Sequence, residues 1–138
     1  GIGRGQMQVL DDHVAMRRNM NAFYVTLFKD IPNVTVFKPP NEDYFANHWL
    51  SAIFIKPDQM KGLDREKLWM DFEAANIESR PLWKPMHLQP IFEKNPYYGS
   101  KIAEKLFENG LCLPSGSNLK EDDKKRISKV VYEFFNRS

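Results

Sequence analysis

A chain of 138 residues with 42% apolar and 28% charged side chains has the balance of one folded domain with an ordinary core, not of a disordered tract. Its net charge of +2 is too small to mark a nucleic-acid surface, and the charges are mixed in sign, as in Lys120-Glu121-Asp122-Asp123-Lys124-Lys125-Arg126, the pattern of a solvated helix face. The single cysteine, Cys112, excludes an intrachain disulfide and a Cys-based zinc site. No apolar run approaches the roughly 20 residues of a membrane-spanning helix and no signal-peptide pattern opens the sequence, so the expected compartment is the cytoplasm.

The sequence begins Gly1-Ile2-Gly3 without an initiator methionine, which suggests a cut from a longer polypeptide. Residues 4–29 read as one long helix, with apolar residues at Met7, Leu10, Val14, Met20, Tyr24, Leu27 and Phe28 close to the helical period. Asp30-Ile31-Pro32-Asn33 stops it, because proline disfavours helix at the residue before it. Val34-Thr35-Val36-Phe37 is a short β-branched run that reads as an edge strand. Residues 48–55 form the strongest strand signal, ending at Lys56-Pro57-Asp58.

Asp64 offers an N-cap for a helix over residues 65–75 that carries Leu68, Trp69, Phe72 and Ala75 on one face. Asn76 can end that helix in the left-handed conformation, and residues 77–80 read as a short strand. Residues 98–109 are amphipathic through Ile102, Ala103, Leu106 and Phe107, with Gly110 as the stop. Leu111-Cys112-Leu113-Pro114 reads as a last strand and Ser115-Gly116-Ser117-Asn118 as a turn feeding the last helix, with a loop that donates hydrogen bonds to a ligand or a partner loop as the lesser reading. A final helix from about Glu121 buries Ile127, Val130, Val131, Phe134 and Phe135. The order helix, strand, strand, helix, strand, helix, strand, helix predicts an α+β fold, a small mostly antiparallel sheet covered by helices on one side.

Standard catalytic motifs are lacking. The glycines of Gly1-Ile2-Gly3-Arg4-Gly5 follow no strand and match no phosphate-loop spacing. His13, His48 and His87 are too far apart for a metal-site pattern, so no metal is expected and each histidine reads first as structural. Cys112, between two leucines, reads as a small buried hydrophobe. Residues 80–90 stand apart: Arg80, Trp83, Lys84 and His87 fall within eight residues, among prolines at 81, 85 and 90. Prolines present such side chains with little ordering entropy left to lose. Arginine suits phosphate or carboxylate, indole offers a stacking face and imidazole can hydrogen-bond. A rigid connector with Trp83 and Leu88 packed on the core explains the same residues.

Several runs in order along the chain carry a resemblance: Gly3-Arg4-Gly5-Gln6-Met7, the stretch Asn76-Ile77-Glu78-Ser79-Arg80-Pro81-Leu82-Trp83-Lys84-Pro85-Met86-His87, Tyr97-Tyr98-Gly99, and Gly110-Leu111-Cys112-Leu113-Pro114-Ser115-Gly116-Ser117-Asn118. Together they resemble the C-terminal part of the DegT/StrS-type sugar aminotransferases, most of all those acting on UDP-linked 4-keto sugars of the UDP-N-acetylbacillosamine pathway type. The resemblance implies the C-terminal domain of the aspartate-aminotransferase architecture (pyridoxal-phosphate fold type I). It implies one domain over residues 1–138, with the cofactor-lysine domain elsewhere in a longer, usually homodimeric enzyme. No lysine here, Lys84 and Lys101 included, matches the Schiff-base lysine by motif. The implied role is a wall of the substrate pocket, where Arg80 binds an anionic group of the nucleotide sugar or of a glutamate donor, His87 hydrogen-bonds sugar or nucleotide, and Trp83 shapes the wall. The fragment alone is expected to be inactive. Relatives commonly carry Thr or Ser where Lys120 opens the last helix, so Asn118 or Ser117 is expected to cap it.

Two other classes compete. An autonomous oligomerisation or carbohydrate-binding module would use residues 80–90 as its contact surface. An RNA-binding domain is the weaker reading, since no stripe interleaves Lys and Arg with aromatics.

Overall fold

The computed structural model describes residues 1–56 and 62–137. Among them, five α-helices and four strands follow the expected order: α1 (Ile2–Gln8), α2 (Leu10–Leu27), β1 (Val34–Val36), β2 (Ser51–Ile55), α3 (Arg65–Ala74), β3 (Arg80–Pro81), α4 (Ile102–Asn109), β4 (Gly110–Leu113) and α5 (Glu121–Phe135). The sheet runs β1-β2-β4-β3 with every neighbour antiparallel. The last strand in sequence is therefore central, which is why all four of its residues are buried.

Alternation sets the two faces of the sheet. Ile53, Ile55, Leu111 and Leu113 point into one core with Met20, Tyr24, Leu27 and Phe28 from α2 and its end, Leu68 and Phe72 from α3, and Ile127, Val130, Val131 and Phe134 from α5. Ala52 and Cys112, a directly paired couple, belong to the other face. Phe135 is only partly buried, packed edge-on to Phe134 and Phe28.

Several boundaries differ from the sequence reading. Val9, at φ −115° and ψ 7°, splits the first helix in two. Of its expected apolar positions only those from Met20 onward are buried, while Met7 and Leu10 face solvent. β2 starts at Ser51, because His48 takes a left-handed φ of 49°. The strand expected over 77–80 is the shorter β3. α4 starts at Ile102, after a left-handed Lys101, and its Ile102 and Ala103 are exposed. Gly110 has φ −98°, so it opens β4 instead of capping α4 in the left-handed region. Of the expected stop at Lys56-Pro57-Asp58, only Lys56 lies within the described residues.

The caps follow local chemistry. The Asp64 carboxylate accepts from the Lys67 N–H at 2.8 Å, and Asn76 ends α3's turn at φ 54°. α5 is capped neither by Asn118 nor by Ser117. Its N-cap is Lys120, whose backbone N–H donates to Asp123 Oδ2 at 2.9 Å. An ammonium has no acceptor to offer the helix end, so this is half of a reciprocal capping box. No helix among the described residues is long and apolar enough to cross a membrane.

Tyr24 ties helix to sheet, donating from its hydroxyl to the Pro114 carbonyl at 2.7 Å. Burial pushes its phenol far above the usual range. The folded chain keeps that proton above about pH 10, where the unfolded chain releases it, so the contribution is full below about pH 10 and falls as pH rises further. Tyr24→Phe should cost about 1 kcal/mol at neutral pH and flatten the alkaline loss. Urea unfolding at about pH 8 and about pH 11 measures both effects.

Candidate functional site

The proline-rich segment is fastened at both ends. At its start β3 pairs with β4, placing Arg80 opposite Cys112 and Pro81 opposite Leu111. Pro81 has no N–H to lose on the outermost strand, and Leu82 N–H continues toward the Gly110 carbonyl at 3.4 Å. Pro85 and Pro90 then lead into two single 3₁₀ turns, Met86–Leu88 and Pro90–Phe92. At the far end the His87 imidazole lies 2.9 Å from Glu104 of α4 through Nε2 and stacks on Tyr97 with centroids 3.9 Å apart. Both partners of the His87–Glu104 pair are about four-fifths buried.

The long connection from β1 to β2 supplies the facing wall. Two arginines of α2 hold it: Arg17 donates to the Trp49 carbonyl at 2.5 Å and the Ser115 carbonyl at 3.2 Å, and Arg18 donates to the Ala46 carbonyl at 2.5 Å while lying over the Phe45 ring at 4.4 Å. The Asn47 side chain accepts from Trp49 N–H at 3.0 Å, an Asx turn that throws the indole outward. Trp49 thus meets Trp83 with ring centroids 6.0 Å apart and planes tilted by 37°. Burial, then the Arg18 guanidinium, lowers the pKa of His48 in this connection.

Between the two indoles opens a cleft of about 450 Å³, whose exposed rim includes Trp49, Trp83, Glu78 and Arg80 and whose buried floor includes Ser79, Cys112, Leu113 and Ser115. Burial pushes the Cys112 thiol up, so it stays protonated and serves as a packing group. Ser115 is fully engaged, accepting from Ser51 N–H and donating to the Leu113 carbonyl, both at 2.8 Å. Ser79 Oγ has no hydrogen-bond partner among the described residues. Arg80 holds Glu78 through Nε at 2.8 Å and through Nη2, with both side chains about three-quarters exposed.

Of the residues singled out in the sequence, Arg80 and Trp83 meet at this cleft. His87 does not line it and sits instead in its own contact with Glu104 and Tyr97. Lys84 is exposed. Ser115 knits β4 to β2 and leaves no donor for a ligand. Trp49 was missed, hidden in what reads as a strand. The signal for it is Asn47 two residues earlier, an Asx-turn residue where a strand should begin. The described residues hold no cluster of His, Cys, Asp or Glu able to bind a metal ion.

Residues 1–132 match the DegT/DnrJ/EryC1/StrS aminotransferase family, and the chain belongs to it. It is similar to EpsN of Bacillus subtilis, whose name carries the description pyridoxal phosphate-dependent aminotransferase, at 34% identity over 139 residues. That match covers 98% of this chain and 34% of EpsN. GDP-perosamine synthase of Escherichia coli O157:H7 is 27% identical over 134 residues, covering 97% of this chain and 35% of its own. In fold, the aminotransferase TlmJ from Streptoalloteichus hindustanus gives a TM-score of 0.84 at 18% identity, covering 99% of this chain and 35% of its own. The chain spans about a third of the length of these relatives.

Pyridoxal phosphate is the cofactor that accompanies this family. The cleft does not fit the seat of that group. Its ionisable lining is Glu78, Arg80 and Cys112, with no lysine to engage the cofactor's aldehyde.

Gly110 couples the core to this wall. A Cβ placed there would collide with Leu82 and with the Leu106 carbonyl, so the requirement is for space, not for an unusual φ. Gly110→Ala should destabilise the fold by about 1–3 kcal/mol and displace Leu82, which lies between Arg80 and Trp83 in sequence. A lowered urea midpoint together with altered tryptophan emission is the expected pair of readings.

Proposed function

We propose that residues 1–138 are the C-terminal, substrate-facing part of a nucleotide-sugar transaminase and that the Trp49–Trp83 cleft forms one wall of its sugar-nucleotide pocket. The supporting observation is the meeting of two exposed indoles with Arg80, whose ion-pair partner Glu78 is itself exposed. An exposed pair of this kind is worth roughly 0–1 kcal/mol, so a diphosphate or a donor carboxylate can take Arg80 from Glu78 at small cost. The bidentate geometry of guanidinium suits either group. The indoles offer flat apolar faces to a base or to the face of a sugar ring.

His87 fixes the far end of the segment through Nε2, outside the cleft itself, and we assign it a hydrogen bond to sugar or nucleotide on that side of the segment. Pyridoxal phosphate, carried by the rest of the polypeptide, supplies the electron sink for moving the amino group. The finer reading is a UDP-linked 4-keto sugar of the N-acetylbacillosamine type, with glutamate as donor, in a cytoplasmic homodimer. It rests on the run of residues 76–87.

In the full polypeptide, Arg80→Ala and His87→Ala should each raise KM for the nucleotide sugar or the amino donor, by about tenfold for Arg80. Unchanged KM values for both variants would reject the pocket. Residues 1–138 alone should neither catalyse amino transfer nor develop a lysine-dependent absorbance with pyridoxal phosphate. Turnover by the isolated chain, abolished by replacing one lysine, would overturn the proposed division of labour.

A further inference from the structure

The floor of the cleft holds an atom that the fold does not use. Ser79 is 8% exposed, its Oγ is sealed from solvent, and nothing among the described residues hydrogen-bonds to it. Buried hydroxyls are almost always paired, and one left unpaired carries its desolvation cost with no return. The neighbouring serines show the contrast: Ser51 accepts from Asn21 and Ser115 is doubly engaged. Ser79 separates Glu78 from Arg80, directly before the strand that carries the site, and it lines both the Trp49–Trp83 cleft and a second cleft of about 350 Å³ on the Trp69 side. With no hydrogen bond holding its rotamer, rotation about a single bond redirects the oxygen.

We propose that Ser79 is a specificity-determining residue whose hydroxyl hydrogen-bonds a hydroxyl of the sugar ring held in this cleft. The chemistry of the lining selects that partner. Arg80 serves the anion and the indoles serve the flat faces, whereas a serine hydroxyl donates and accepts at once, as a sugar hydroxyl does. The fold tolerates the orphaned atom because it is completed by ligand. This inference rests on the pocket proposed above.

The test is calorimetric titration of the full polypeptide with UDP and with UDP-N-acetylglucosamine, on the wild type, S79A and W83A, together with the melting temperature of each unliganded protein. S79A should weaken UDP-N-acetylglucosamine roughly tenfold, leave UDP unchanged, and hold or raise the unliganded melting temperature, since it deletes an unpaired polar atom. Equal loss for both probes, or no loss, overturns the assignment. A lower melting temperature without probe selectivity gives Ser79 to the fold, for instance through an ordered water, and also overturns it. Failure of the wild type to bind either probe, or binding unaffected by W83A, instead removes the pocket itself.

Discussion

One polar stripe on α2 governs how the sheet and the cleft are held together. Arg17, Asn21 and Tyr24 recur at helical spacing, so they share a face. Arg17 takes the Trp49 and Ser115 carbonyls, Asn21 takes Ser51 Oγ and Tyr24 takes the Pro114 carbonyl. These acceptors lie where β2 begins and β4 ends, at two chain segments that are far apart in sequence. Ser115 closes the arrangement by accepting from Ser51 N–H. Two of these carbonyls, of Pro114 and Ser115, are partly buried and costly to leave without a partner, so a shift of the helix would unpair groups beside both central strands. The wall bearing Trp49 is therefore held from α2 as well as by its own Asn47 turn.

The opposite wall is built on another plan. Residues 80–90 have few backbone hydrogen bonds of their own and depend on proline stiffness, a two-residue strand pairing and the His87–Glu104 contact. Two independently anchored walls meeting over a floor of one paired serine, one unpaired serine and a protonated thiol make a cleft that is shaped before a ligand arrives. Pre-shaping of this kind reduces the ordering cost of binding. What remains adjustable is the exposed Arg80–Glu78 pair, the one strongly charged contact on the rim.

Much of the fold was legible because burial follows period. β2, α3 and α5 carry apolar residues at spacings of two or near 3.6, and these are the residues found in the core. The errors fall where backbone conformation is set by non-periodic chemistry. Left-handed His48 and Lys101 delay β2 and α4, and neither residue type announces that geometry. Met7 and Leu10 fit the helical period yet lie outside the core, since periodicity reports an apolar face without saying what it packs on. At the site, Arg80 and Trp83 stood out by composition. Trp49 did not, because its partner is 34 positions away and only the fold brings them together. The unpaired state of Ser79 could not be read at all, since it is a property of every neighbour at once.

Pro81 has a consequence apart from ligands. A four-stranded sheet has two open borders, and an open border invites another chain to add a strand. Here β1 offers three residues and β3 only two, one of them a proline without a donor. The stiffness that aims Arg80 and Trp83 thus also closes the β3 border of the sheet to extension, so loosening residues 80–90 by replacing Pro81 would expose that edge for self-association as well as blurring the cleft.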